Sequence, residues 1–589
     1  MQIKQKYSVF TYIKPYREYF ILAVLFILIE CGLEISVPFL SNILLKKGLI
    51  YDATETSVIG MDTTFILIMG AIMLSFAVVS MFLGFMTAKF TAKVGRGLGY
   101  ELRKAEYQKI QDLSFSNLDN FRINSLVTRM TNDVQIVSDT FCQVLRPLLR
   151  APLQLVFSSV FAIIMSAQLS IVFAVVVPIL AILLIVVIAL SRPLFVKLQG
   201  VLDKVNRTTR ESITAMKLIR ANAKKERETE KFSSVNQEAK KVASSALGIN
   251  ATNMACIQAM TYLCILGILI IGGNLAIKAA SAIMIVNIAS FLDYVMQMLA
   301  SLIMLSNVFM IFTRADASNS RIRKVFEAEN EIVEDKASDV KLENGSVELK
   351  NVFFKYKKQA DEYVLSDINL DIENGQFIGI TGKTGSSKST LIYLIERFYD
   401  IEKGELKIGG KDIKEYSLNE LRKNIAISFQ SPQLFTGTIR DNLLWGKKDA
   451  TEEEIIKACQ IAQCYDFIVN TLPKGFETVM GQSGSNISGG QRQRICIARA
   501  ILRNPKILIL DDSFSALDRI TEQQVKQNLK TMLPEMTKIV ISQKVSTIFD
   551  ADSIIVMDDG KVSEVGTNQQ LLENNGIYKM IYSIQNEGK

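Results

Sequence analysis

The chain of 589 residues carries 67 Lys and Arg against 59 Asp and Glu, a net charge of +8, and 49% of its residues are hydrophobic. That length predicts two or three folding units. The lack of histidine excludes His-based acid–base work, His metal ligands and Cys/His or Ser/His nucleophilic pairs within this subunit. The seven cysteines stand singly at 31, 142, 256, 264, 459, 464 and 496, with no CxxC pair and no metal or disulfide spacing, which fits a reduced cytosolic face.

In chain order, apolar windows at 19–44, 62–88, 141–165, 168–191, 252–277 and 282–312 are each long enough to cross about 30 Å of hydrocarbon. No cleavable signal is expected, because the first apolar span is long and others follow it. The segment 89–150 holds ten Lys or Arg and the segment 192–241 thirteen, whereas the other connections are poor in them. This asymmetry explains the basic charge better than nucleic acid does, and it predicts that both long loops and both termini face the cytoplasm. Helix-like apolar spacing continues through both basic segments, so the spans are expected to run on as helices into the cytosol. Breaks at 114–124 and 221–225 predict reversals there.

Three carboxylates fall within the spans away from their ends. Glu30 and Glu34 sit four apart on one face of the first, and Asp293 lies in the sixth. Intramembrane carboxylates are costly and face a bundle interior or a wet cavity, so these three are candidate substrate-cavity residues, toward a cation, or plain interhelix carboxylates.

The last 250 or so residues alternate short apolar runs, glycine-containing turns and charges, as a soluble α/β domain does. An apolar strand, FIGI, leads into GKTGSSKST and then a helical run. This reads as a phosphate loop made of Gly382, Lys383, Thr384, Gly385, Ser386, Ser387, Lys388, Ser389 and Thr390. Its amides cradle phosphates, Lys388 reaches the β- and γ-phosphates, and the Ser389 hydroxyl ligates Mg²⁺. Downstream come Gln430 in ISFQSPQLF, the run Ile487, Ser488, Gly489, Gly490 and Gln491, then ILILDD ending in Asp511 and Asp512, SALD at 515–518, and ISQKVSTI at 541–548. A buried strand closing on Asp511 suits a carboxylate that holds the metal through water.

With ISGGQRQRICIARAILRNPKILILDD in this order, the chain resembles a half-size ABC exporter over nearly its whole length. The resemblance implies a multidomain fold: an all-α six-helix transmembrane domain at 1–325 with long cytoplasmic extensions, a linker at 326–344, and an α/β P-loop ATPase domain at 345–589. It also implies that Tyr356 stacks on adenine, that Gln430 couples Mg²⁺ to the membrane domain, and that 515–518, ending in Asp518, crosses a dimer interface. The reversals would be coupling helices.

Against the family pattern, three places depart: Ser387 for Gly, Asp512 for the Glu that polarises water, and Gln543 for the switch-loop His. TVMGQSG also stands where TEVGERG is usual, which puts its cross-contact to a partner's coupling helices in doubt. An Asp reaches about 1 Å less far than a Glu, and misplacement of that size costs about 10²-fold in rate. ATP is therefore expected to bind and to hydrolyse slowly. The pattern implies a second, non-identical half-transporter carrying the Glu and the His, and a bacterial multidrug-type exporter moving an amphipathic drug, lipid or peptide across the plasma membrane, in contact with membrane lipid. The rivals are an ATP-gated channel or regulatory subunit, and a homodimeric exporter of low ATPase activity. A soluble ABC ATPase conflicts with the apolar windows.

Overall fold

The computed structural model describes residues 7–51, 58–165, 167–279, 282–332, 339–481 and 484–586. Its contacts divide the chain into two units, one of Met1–Gln111 and Ile123–Glu327, the other of Asp112–Arg122 and Ala328–Lys589.

The first unit is helical. Its long elements are Arg17–Gly48, Thr63–Asp112, Val134–Met165, Ala167–Thr214, Lys225–Ala279 and Ala282–Phe326. The Thr63–Asp112 helix has 50 residues and Lys225–Ala279 has 55. At about 1.5 Å per residue such helices are more than twice as long as the roughly 30 Å of hydrocarbon, so each carries a long extension outside it. Five helices among the described residues are long and apolar enough to span. The fourth apolar window falls on Ala167–Thr214, where many side chains lie outside the described residues. Only 11% of the most apolar stretch of Thr63–Asp112 is buried within the chain, so its apolar surface is not part of this chain's own core.

Packing within this unit uses small residues. A Cβ on Gly95 would meet the Cys142 Sγ at 2.3 Å and the Ser138 carbonyl at 2.9 Å, so glycine lets this helix lie close against Val134–Met165. There Val94, Leu98, Leu102, Val134, Val137 and Ile322 form one apolar cluster. Beside it the fully buried Asp133 accepts hydrogen bonds from Arg321 Nε at 2.7 Å and Ser318 Oγ at 2.9 Å, which supplies the partners a buried charge needs.

The second unit is α/β. Its six-stranded sheet runs, in spatial order, Lys561–Gly566, Ser553–Asp558, Phe377–Gly382, Thr537–Ile541, Ile507–Asp511 and Ile425–Ser428. All neighbours pair parallel except the edge pair Ser553–Asp558 with Lys561–Gly566. The inner strands FIGITG, ILILD and TKIVI are buried at every position, as strands covered on both faces must be. A second, antiparallel sheet holds Leu365–Ile372, Val347–Phe354, Lys403–Ile408 and Lys411–Asp412. Capping boxes at Thr451 with Glu454, Ser488 with Gln491, and Thr567 with Gln570 fix where three helices start.

Residues 112–122 group with this unit. In the short helix Phe115–Asn120, the Phe115 ring lies 4.4 Å from the Phe398 ring, and Tyr399 Oη donates to Asp119 Oδ2 at 2.7 Å. The second reversal is a short helix, Met216–Ala221, that starts before the break read from the sequence and leaves Asn222–Lys224 to turn the chain. Part of the linker, 333–338, lies outside the described residues.

One buried acid in this unit sets a pH dependence. Burial pushes the Glu396 carboxyl up to about 8, against the counteracting charges of Arg503 and Arg422. Because its folded value exceeds its unfolded one, its contribution to stability is complete below about 4.5 and is lost as pH climbs through about 8. We expect Glu396→Gln to flatten the fall of melting temperature over that window, read by thermal unfolding at a series of pH values. An unchanged slope would show the acid to be already charged.

Candidate functional site

The phosphate loop starts where strand Phe377–Gly382 ends and closes where helix Lys388–Ile395 begins. Gly382 has φ +146°, and a Cβ there would meet the Met557 carbonyl oxygen at 2.0 Å, so glycine is obligatory. Gly385 has φ +86° with nothing within 4 Å of its missing Cβ, which leaves open space for a phosphate to approach the backbone. Ser387 holds φ +67°, ψ +26°, a left-handed conformation at the very place where the sequence has Ser for Gly. For an L residue this costs about 1–2 kcal/mol. Ser387→Gly is therefore expected to raise stability by about 1 kcal/mol and to tighten ATP binding, measured by thermal unfolding with and without nucleotide. A lower melting temperature would contradict the strain.

The loop, Gln430, Asp511, Asp512 and Gln543 line one cleft of about 320 Å³. Lys388, 8% exposed, donates to the carbonyls of Gly382 at 3.0 Å and Lys383 at 2.8 Å and to Ser386 Oγ at 3.2 Å. Burial pulls its pKa below the ordinary lysine value, while Asp511 and Asp512 act to raise it. Ser389 Oγ donates to Asp511 Oδ1 at 3.3 Å. Burial raises the pKa of Asp511, with the Ser389 hydrogen bond opposing. This hydroxyl and carboxylate, with Gln430 on the same wall, are the kind of hard oxygen-bearing residues that suit Mg²⁺.

Asp512 stands just past the strand with φ +46°, a region that Asp tolerates better than most residues. Its Oδ2 accepts from Gln430 Nε2 at 3.4 Å, its pKa is raised chiefly by burial, and Lys544 lies near enough to lower it. Gln543 is held through its backbone. Gln585, on the C-terminal helix Ile577–Asn586, donates to the Gln543 carbonyl at 2.7 Å and accepts from the Val545 amide at 2.9 Å. No sequence motif marks that clamp.

Of the remaining predicted nucleotide residues, Tyr356 borders the cleft through Thr390, while the signature run and Asp518 do not line it. Tyr356 packs edge-on against Tyr399, with ring centroids 5.1 Å apart, and its hydroxyl is 3.0 Å from Thr390 Oγ1. Ser488 caps helix Gly489–Leu502, Ile487 is buried, and a Cβ on Gly490 would meet the Ala516 carbonyl oxygen at 2.8 Å. Asp518 caps the following helix, Arg519–Met532, by accepting from the amides of Ile520 and Thr521. The signature run 487–491 thus sits against the 515–518 loop, and it contributes none of the described residues lining the phosphate cleft of its own chain. Gln493 was not foreseen. It donates to Ser428 Oγ at 3.2 Å and to the Phe429 carbonyl at 3.3 Å, directly behind Gln430. In TVMGQSG, residues 482–483 lie outside the described residues.

In the membrane unit, Glu30 is 2% exposed and pairs with Arg146, with Arg150 at 3.8 Å; Glu34 pairs with Arg150. Both arginines belong to helix Val134–Met165, although the sequence placed them among the loop cations. Without them the segment 89–150 keeps eight of its ten basic residues, so the charge asymmetry stands. The two carboxylates are already neutralised by protein, which removes the reason to reserve them for a cationic substrate. Asp293 is exposed and joins no ion pair among the described residues.

Comparison with known proteins agrees with this geometry. Residues 20–326 match the family described as the ABC transporter transmembrane region and residues 365–515 match the family described as ABC transporter. The chain is similar to an uncharacterised ABC transporter ATP-binding protein of Bacillus subtilis, YfiB, at 34% identity over 98% of each chain. It is 31% identical to an ATP-dependent lipid A-core flippase of Syntrophus aciditrophicus, over 84% of this chain and 81% of that one. A bacterial Atm1-family ABC exporter solved with ATP bound superposes with a TM-score of 0.81, at 21% identity, covering 97% of this chain and 98% of that one. The chain belongs to the ABC transporter family. It is a half-size ABC exporter, with a multi-pass membrane domain fused to an ATP-binding ATPase domain in one polypeptide.

Proposed function

We propose that this chain is one half of a heterodimeric exporter, whose own cleft binds ATP and hydrolyses it slowly while its signature run completes the working site of a dissimilar partner. The observation that carries this reading is that Ser387, Asp512 and Gln543, the three departures from the family pattern, line one and the same cleft. A short carboxylate turned to Gln430 and an amide in place of an imidazole leave the binding parts in place and weaken only water activation.

In this reading Lys388 and the loop amides hold the phosphates, while Ser389, Gln430 and Asp511 hold Mg²⁺, which would neutralise charge on the β- and γ-phosphates. Gln543 donates its amide toward the γ-phosphate, and Tyr356 offers its ring to adenine. Signature residues Ile487, Ser488, Gly489, Gly490 and Gln491, with Asp518 closing the 515–518 loop, serve the partner's nucleotide. Nucleotide-driven closing of the paired ATPase domains biases the membrane helices between two states, and hydrolysis at the partner's site reopens them. The cargo is an amphipathic compound, and a lipid is among the candidates because a relative of 31% identity is named as a lipid A-core flippase. Both termini face the cytoplasm, as the basic loops direct.

A chase experiment tests the cleft. The purified chain is loaded with radiolabelled ATP and Mg²⁺, separated from free nucleotide, and its bound nucleotide analysed after minutes at working temperature. The label is expected to come back as ATP; recovery as ADP would overturn the reading. Uptake into vesicles against a gradient distinguishes export from gating, because a passive pore accumulates nothing.

A further inference from the structure

At the start of the first membrane helix the chain bends. Helix Val9–Ile13 gives way to a single tight turn, Lys14–Tyr16, with Pro15 at its start, before helix Arg17–Gly48 begins. The bend encloses an open groove of about 600 Å³, walled by Phe10, Ile13, Phe20 and Ile21 and flanked by Lys14 and Arg17. Ile13 and Phe20 anchor the wall in the core, and the Phe10 ring meets Phe141 edge-on at 6.4 Å. Yet Phe10 is 72% and Ile21 62% exposed.

No carboxylate lines the groove among the described residues. Nearby cations have partners: Lys93 lies 3.8 Å over the Tyr19 ring and Arg96 pairs with Asp139 at 2.8 Å. Lys14 and Arg17, among the described residues, have neither an ion pair nor a side-chain hydrogen bond. Two unpaired cations beside four large apolar side chains, at the boundary where the apolar window begins, match a molecule with an anionic head and hydrocarbon tails. A free phosphate would have no use for the apolar wall. Residues 1–6, MQIKQK, lie outside the described residues and carry two further lysines and no acid.

We propose that this groove binds an anionic glycerophospholipid of the cytoplasmic leaflet, its phosphate between Lys14 and Arg17 and its acyl chains along Phe10, Phe20 and Ile21. The leaflet assignment rests on the orientation read above; the site itself does not. Anionic headgroups attract each nearby Lys or Arg strongly enough that two of them are worth about 30-fold in affinity.

The test is native mass spectrometry of the full-length protein in detergent, titrated with phosphatidylglycerol and, separately, phosphatidylcholine. The wild type is expected to prefer phosphatidylglycerol, K14Q/R17Q to lose that preference by about 30-fold, K14R/R17K to keep it, and F10A/I21A to bind both lipids more weakly. Unchanged melting temperature and elution volume confirm that each variant is folded. Equal phosphatidylglycerol binding by wild type and K14Q/R17Q would overturn the proposal, as would binding that appears only after residues 1–6 are removed or is lost when two chains associate. Micelles have no sides, so a failure here removes the site without touching the orientation.

Discussion

Replacing Asp512 by Glu and Gln543 by His in the same chain raises its steady-state ATPase turnover by about 10²-fold or more, measured on the purified chain alone. The argument is geometric. Asp512 is one methylene short, and its Oδ2 is engaged by Gln430 at 3.4 Å. A Glu at the same backbone position extends the carboxylate further into the cleft, and an imidazole at 543 restores a group that titrates near neutrality. The left-handed φ of +46° at residue 512 suits Asp better than Glu, which costs the variant about 1 kcal/mol of stability and leaves the gain in rate intact. Neither single change is expected to give the full gain, because orienting water and contacting the γ-phosphate act on the same transition state. A double variant as slow as the wild type would place the defect elsewhere.

Replacing Glu30 by Ala destabilises the membrane unit by about 1–3 kcal/mol, less than a fully buried pair because Arg146 is partly exposed, read as a fall in thermal stability in detergent and in folded yield. Glu30 is 2% exposed between Arg146 and Arg150, and its removal leaves Arg146 without its carboxylate and opens a void beside two arginine Nε atoms that, among the described residues, lack hydrogen-bond partners. Adding Arg146→Ala to Glu30→Ala is expected to recover part of the loss, since the double variant buries one charge fewer than either change leaves unpaired. Glu34→Ala costs less, because Glu34 is 31% exposed at the side chain and shares only Arg150. A Glu30→Ala protein as stable as the wild type would show that the pair contributes no net stability.

These two sites differ in how far the sequence discloses them. The nucleotide motifs are legible because each is a local arrangement: a buried strand, a turn rich in small residues and a helix start, contiguous in the chain. The long helix extensions are legible for the same reason, since periodicity persists through Lys89–Ile110 and is a property of neighbours. The pairing of Glu30 with Arg146 joins residues 116 apart, and an apolar window averages over an isolated arginine, so Arg146 and Arg150 read as loop cations. The left-handed backbone at Ser387 is inferable only from the glycine the family pattern expects there, and the Gln585 clamp on the switch loop follows from where the C-terminal helix docks, which no local pattern states. Local chemistry is written in the sequence at short range, whereas ion pairs and clamps depend on which elements the fold brings together.

Turnover of the purified chain by itself, compared with turnover of the same chain assembled with a half-transporter that carries the catalytic Glu and the switch His, addresses the pairing most directly. Slow hydrolysis alone and brisk hydrolysis in the mixed pair, abolished by altering the companion's Glu and nearly indifferent to Asp512→Asn, is the predicted result. Brisk hydrolysis by the lone chain that vanishes with Asp512→Asn would contradict it.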